Sequence, residues 1–361
     1  MKDCRISAAL ILLVILLAFN SILFGFGNKV THPAISSESI DASTADDYLK
    51  NNIGLSRGIQ TELQYDADLY NFFIRQRMYR GNFYPDMTKR TVFGWLRAGS
   101  VIEDEDGYRF PIRARHHFHD PLHNAGLEDK TDYPNYSQLF AWVTHIYSEG
   151  FDVTGQSAII WAISGEAQQE PFDNFECWER ARYDFHRAIS ETERIRREEF
   201  FADAFMELGS VMHLIEDMGV PAHARNDFLF GHYQPPKGIG NAFENWVEGV
   251  IKNNSNQCPW SGSLPVVFDK LVKYFDANEY LGGYLGNGIL PPDMWGLSEC
   301  SNYQFLSLST MFGCTGEKYQ FPNPAKEHLG ADLPESVPEG IKLYFNGSNY
   351  GVAHIARKSY T

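Results

Sequence analysis

Apolar positions along this chain recur mostly at three- and four-residue steps and period-two alternation is scarce, so helices rather than strands are expected to build it. Phe175, Trp178, Phe185 and Ile189, with Ala181 and Ala188 beside them, mark one amphipathic helix whose Arg and Glu residues face the other way. Residues 191–199 read as a solvated charged stretch. From 200 to 218 the pattern predicts a helix apolar nearly all round, with Phe201, Phe205, Leu208, Met212 and Ile215 on one stripe and Ala202, Met206, Ser210, His213 and Asp217 on the other face. Such a helix is buried on both sides. Gly219 and Pro221 stop it, leaving His223 to a turn or to a new helix begun at Pro221. Residues 241–252 form another helix, with Phe243, Trp246, Val247, Val250 and Ile251 on one stripe and Glu244 at its border. Shorter helical stretches are expected at 139–147, at 158–163 and between 48 and 99. Beyond 253 the chain is richer in Gly, Pro and aromatic residues, with a loop expected over 281–287. No repeat, low-complexity tract or linker divides it, and the expected class is all-α, a multi-helix bundle.

Composition narrows this little: 361 residues, 43% hydrophobic and 21% charged, suit a folded chain of one large or two modest domains. The amino terminus adds more. Lys2 and Arg5 precede an apolar run over 8–19, the layout of a secretory signal. Asn20 and Ser21 interrupt that run and no small-x-small cleavage site follows, so retention as a single membrane anchor is the alternative. Residues 1–25 are therefore expected to be a signal peptide or anchor and 26–361 the exported domain. Cys177, Cys258, Cys300 and Cys314 then fall in an oxidising compartment, which suits up to two disulfides. A formal charge of -15 argues against holding a polyanion by bulk electrostatics, although bound metal ions would create a strong local positive field.

The candidate chemistry lies in the least polar segment. His213 and Asp217 stand four residues apart on one helix face, and His223 follows shortly after. Carboxylates and imidazoles in so apolar a setting need partners, and a metal ion supplies them. Two further groups can join: the acidic run Glu103-Asp104-Glu105-Asp106 followed by Arg115-His116-His117-Phe118-His119-Asp120-Pro121, and His32 near the expected mature start. Catalytic zinc takes about three protein ligands and leaves a position for water. Glu103 competes with Asp104 as a ligand, and His116 and His119 read as surface or as supports for the ligands.

On His213-x-x-x-Asp217 with Pro221-x-His223, on Asp104 with His117-Phe118-x-Asp120-Pro121, and on Phe243-Glu244-Asn245-Trp246-Val247, the chain resembles the zinc-dependent phospholipases C of the alpha-toxin type, which share a fold with the fungal single-strand nucleases. The resemblance covers roughly residues 32–250. It implies a helical phospholipase C/nuclease-like bundle with a buried multi-zinc site of up to three ions. By that resemblance Asp104, His117, His213 and Asp217 hold one zinc, His223 and Glu244 a second, and His32 with Asp217 part of a third, which the amine and carbonyl of the mature first residue complete. Asp104 would double as general base, and the substrate would be a phospholipid or other phosphodiester at a membrane surface. Two departures stand out: Gly240 occupies the place of a family histidine, with His232 the nearest substitute, and no tryptophan lies between the signal and His32, Phe26 being the aromatic residue available there.

Two other functions fit the same residues: a single-strand nuclease of this fold, and a zinc-stabilised helical surface module without turnover. No protein partner is implied. Gly54-Leu55-Ser56-Arg57-Gly58 has nucleophile-elbow spacing but lacks the buried strand that motif requires, and no His-Glu-x-x-His helix occurs.

Overall fold

The computed structural model describes residues 30–65, 89–104, 113, 115–121, 123–127, 155–164, 174–226, 233–234, 238–239, 242–258, 268–277 and 295–304. These are mostly helical, with α1 Thr31–Ala42, α2 Ala45–Tyr48, α3 Val92–Ile102, α4 Ala158–Ile163, α5 Trp178–Ser190, α6 Arg194–Asp217, α7 Ala242–Asn253, α8 Val272–Phe275 and α9 Leu297–Gln304. Strand is confined, among the described residues, to two antiparallel ribbons: β1 Glu62–Gln64 with β2 Lys89–Thr91, and β3 Tyr233–Gln234 with β4 Gly238–Ile239. The expected helix at 139–147, the loop at 281–287 and the amino-terminal apolar run lie outside the described residues. No described helix is long and apolar enough to cross a membrane.

The central element is α6, packed on α3 and α5 and touching α1 and α4. It begins at Arg194, inside the stretch read as solvated. Glu193 makes that start possible, because its carboxylate accepts from the backbone N–H of Ile195 and of Arg196 and satisfies donors that a helix amino terminus otherwise leaves open. Arg194 then pairs with Glu198 one turn on, so the charged turns form helix without contributing to the core. Farther along, burial on both faces holds: Phe201 and Phe205 join the cluster of Trp95, Leu96 and Leu63, while Val211 and Leu214 pack against Trp161 and Phe275.

α3 and α6 approach each other closely where they cross. A Cβ on Gly99 would lie 1.9 Å from the Met206 carbonyl oxygen, and one on Gly209 would lie 2.1 Å from that of Leu96. With hydrogen at both positions the two backbones approach closely enough for the Ser210 hydroxyl to donate to the Gly99 carbonyl at 3.3 Å. The crossing has a consequence at the end of α3, since it sets Ser100, Glu103 and Asp104 beside His213 and Asp217. After Asp217, backbone bonds from Gly219 to Glu216 and from Val220 to Asp217 tighten the chain into turns. His223 therefore arrives on the single 3₁₀ turn His223–Arg225 and not on a new helix. Asn226 closes that turn in the left-handed region and donates to the Gly126 carbonyl at 2.8 Å.

Candidate metal centre

α1, the end of α3, the 115–121 segment, α6 and the 3₁₀ turn converge on Asp217. His32 Nε2 lies 3.5 Å from Asp217 Oδ1, and His213 Nε2 lies 3.3 Å from Asp217 Oδ2 and 3.7 Å from Asp104 Oδ2. His117 Nδ1 lies 3.5 Å from Asp104 Oδ1 and 2.9 Å from Asp217 Oδ2. All five residues are essentially withdrawn from solvent. The atoms form two overlapping ligand sets, His32–Asp104–His213 and His117–His213–Asp217.

These separations discriminate between explanations. A hydrogen bond between nitrogen and oxygen spans about 2.7–3.2 Å, whereas donors around a tetrahedral zinc at roughly 2.0–2.1 Å from each ligand stand about 3.3 Å apart. Apart from His117 with Asp217, the distances match the second. Both carboxylate oxygens of Asp104, Oδ1 of Asp217 and Nε2 of His213 have no hydrogen-bond partner. Buried carboxylates left so are costly, and a divalent cation among these mixed nitrogen and oxygen donors removes the cost. The residues fit zinc.

One ring nitrogen of each of three imidazoles is held. His213 Nδ1 donates to the Ser100 carbonyl at 2.6 Å, and His223 Nδ1 to the His117 carbonyl at 2.6 Å. His32 Nδ1 meets Glu216 Oε2 at 2.6 Å, and Ser36, one turn along α1, donates to the other oxygen of Glu216 at 2.7 Å. The carbonyl contacts fix Nδ1–H on His213 and on His223 and leave Nε2 as the basic nitrogen of each, and an ionised Glu216 does the same for His32. His32 and His213 also stack, with ring centroids 3.8 Å apart.

Glu103 is the acid that the Glu103–Asp106 run left in competition with Asp104, and its partners decide the matter. Its carboxylate pairs with the guanidinium of Arg113 and accepts from Trp161 Nε1 at 3.0 Å. Arg113 in turn reaches Glu176 at 2.8 Å. Burial raises the Glu103 carboxyl, but Arg113, His117 and His213 together outweigh it and hold it at about 2. Its charge is thus paired with Arg113, and it approaches the centre at the edge of His117, whose Nε2 lies 3.6 Å from Glu103 Oε1.

The protonation pattern follows from so many charges in one dry space. Burial opposes charge on His213 and His117, yet the neighbouring carboxylates, Asp217 foremost, raise them to about 10 and about 9. Burial lowers His32 well below its ordinary value, reinforced by His213, and brings His223 to about 4. Burial also lifts Asp104 to about 7, whereas the surrounding imidazoles overcome burial at Asp217 and hold it well below the usual carboxylate range. Glu216 is raised by burial to about 8. A bound cation favours the ligating forms throughout, neutral imidazole and ionised carboxylate.

His223 stands next to this cluster, and neither it nor Glu244 enters a ligand set. His223 Nδ1 is 3.8 Å from Asp217 Oδ2, and its ring stacks on Phe118 at 4.6 Å. Glu244 is buried at 2% exposure on α7, whose Phe243 and Val247 pack against Val220 and Ala222, just before the His223 turn. His232 and Gly240 lie outside the described residues. Sequence reasoning did not reach Glu216 and Ser36, although an acid directly before Asp217 and a serine four residues after His32 were the available signals. Cys177, Cys258 and Cys300 form no disulfide with one another; Cys177 is buried at the start of α5, and Cys314 lies outside the described residues. Ser56 of the elbow-like motif sits in a turn that follows helical residues. Set against protein-family models, curated proteins and solved structures, the chain matches none of them.

Proposed function

We propose that this chain is an exported, zinc-dependent phosphodiester hydrolase of the phospholipase C-like helical type. The observation that carries the reading is the spacing of His32, Asp104, His117, His213 and Asp217, whose buried donor atoms stand mostly at ligand and not hydrogen-bond separation. These five residues would hold the metal, with His223 and Glu244 beside them for a further ion. When bound, zinc polarises a phosphoryl oxygen and acidifies a water at neutral pH.

The chain's own residues supply the rest. Hydrolysis adds water across a P–O bond, so one proton must leave the attacking water. Asp104 is the acceptor, because both of its oxygens face the centre without a hydrogen-bond donor. Glu216, Ser36 and the Ser100 carbonyl hold the imidazoles in their ligating tautomers. The remainder of the surface carries net negative charge, so an anionic substrate is drawn by the local field of the centre and not by a basic face. That favours a single phosphodiester, as in a phospholipid headgroup, over an extended polyanion.

The test is hydrolysis of a phosphocholine ester and of single-stranded DNA side by side, by wild type and His213→Ala, with and without chelator. Ester hydrolysis that chelator and mutation both abolish is expected. Preferential cleavage of the DNA would make the chain a nuclease, and tight zinc binding without turnover of either substrate would make it a zinc-stabilised module.

A further inference from the structure

Behind the metal centre lies a second buried constellation. His119 Nδ1 is 2.8 Å from Ser157 Oγ, and His119 Nε2 is 2.8 Å from Asp276 Oδ2. Ser157, His119 and Asp276 are 5, 0 and 1% exposed. The order of residue types is that of a nucleophilic triad, but the surroundings argue against that chemistry. No side of the serine is open to a substrate, and its oxygen already accepts from the Ile159 N–H at 3.2 Å as the cap of α4.

The direction of the bonds is informative. Because Ser157 Oγ accepts from Ile159, its own proton is available to His119 Nδ1, which leaves Nε2–H to donate to Asp276. His119 is thereby locked between α4 and the end of α8. Its backbone is locked too: the His119 N–H donates to the His223 carbonyl at 3.1 Å, and the Ala158 N–H donates to the Phe118 carbonyl at 2.9 Å. His223 returns a bond from Nδ1 to the His117 carbonyl. The peptide that carries His117 and the turn that carries His223 are therefore cross-braced, and His119 anchors the brace.

Asp276 is itself held by the segment beyond α8. Ser298 donates to the Phe275 carbonyl at 2.6 Å, and Glu299 accepts from the Ala277 N–H at 2.9 Å. From the same helix, α9, Asn302 Nδ2 donates to the Ala224 carbonyl at 2.8 Å, and the Asn302 carbonyl accepts from Arg225. Hydrogen bonds thus run in a closed circuit from His117 through His119, Asp276 and α9 to the 223–225 turn and back to His117.

We propose that Asp276, His119 and Ser157, with Asn302 at the far end of the circuit, are positioning residues for the metal centre: they fix where His117 and His223 present their nitrogens. The inference rests on the metal-centre reading above. It makes α8 with Asp276, together with α9, an outer wall of the site and not an appended part.

The experiment titrates wild type, Asp276→Asn, Asp276→Ala and Asn302→Ala with zinc against a chromophoric chelator and records the visible spectrum of each protein loaded with cobalt(II). Leu63→Ala, in the core cluster away from the centre, supplies a variant destabilised for an unrelated reason. Asp276→Ala and Asn302→Ala are expected to weaken zinc binding by about 10- to 100-fold and to shift the cobalt bands. Asp276→Asn, whose carbonyl still accepts from His119, should recover most of both, and Leu63→Ala should keep the wild-type spectrum. Should Asp276→Ala fail to fold, Asn302→Ala and Asp276→Asn carry the same comparison. Variant affinities and spectra equal to those of wild type would overturn the positioning role while leaving the metal centre intact, whereas a wild type that binds neither metal would overturn both.

Discussion

Asp217 is the residue on which the centre turns, because imidazoles from three separate parts of the chain meet its two oxygens. Its neighbour Glu216 points to the other side of the same imidazole, His32, and gives the most specific prediction at this scale. With zinc bound, an ionised Glu216 can only accept from His32 Nδ1; Glu216→Gln keeps the size and an acceptor oxygen, but its amide can also donate, so the His32 tautomer is no longer fixed. Zinc affinity measured by chelator competition should fall by about 10- to 100-fold, with a smaller fall for Ser36→Ala, which removes one bond to Glu216. His213-x-x-x-Asp217 was legible from the sequence because helical spacing alone puts both residues on one face. Glu216 was not, since its function depends on α1 docking against α6, a contact that no local pattern encodes. Asp104 and Glu103 were ambiguous for the same reason, and Arg113 separates them by claiming one of the two.

At the level of elements, the α3–α6 crossing decides whether the ligands meet at all. Gly99→Ala would set a methyl group 1.9 Å from the Met206 carbonyl, and only separation of the helices relieves that contact. The expected cost is about 1–3 kcal/mol or more, read as a lower thermal midpoint, together with weakened zinc binding because Ser100 and Asp104 move away from His213. Helical periodicity identified α6 and α7 but not this glycine pair, whose importance lies wholly between two helices. The early start of α6 escaped for a different reason: its first turns carry charge, and a cap at Glu193 leaves no hydrophobic signal.

The α5–α6 contact holds another prediction. Glu207, Asp184 and Asp203 are gathered there, with Arg180 Nε 2.8 Å from Asp184 and 3.6 Å from Glu207, and with Tyr65 donating to Asp203 at 2.7 Å. Burial first, then Asp184 and Asp203, raises Glu207 from its ordinary 4.5 to about 10, and burial raises Asp203 to about 7. A carboxyl with a higher pKa in the folded chain retains protons on folding, so its stabilising contribution is full in acid and is lost as pH rises toward the folded value. For Glu207 that window runs from about 4.5 to about 10. The thermal midpoint of wild type should fall as pH is raised from 5 to 9, and Glu207→Gln should flatten that slope; an unchanged slope would contradict the account.

Across the whole molecule, helices that are distant in sequence are joined by the proposed ligands and their supports as well as by the apolar clusters. Metal binding should therefore stabilise the fold: ligand at a hundred times its dissociation constant adds about 2.7 kcal/mol, which in a chain of this size raises the thermal midpoint by several degrees. A chelator should reverse that gain in wild type and have little effect in His213→Ala. The class of fold was legible from the period of the apolar residues, while the outer wall formed by α8 and α9 was not, because its hold on the centre depends on single polar contacts such as Asp276 with His119. The most direct test of the central claim is the zinc content of the full chain after stripping with chelator, reloading and removal of loosely held ion. Tightly retained zinc in wild type that Asp217→Asn and His213→Ala fail to retain is the predicted result, and a wild-type chain that retains no divalent metal would contradict it.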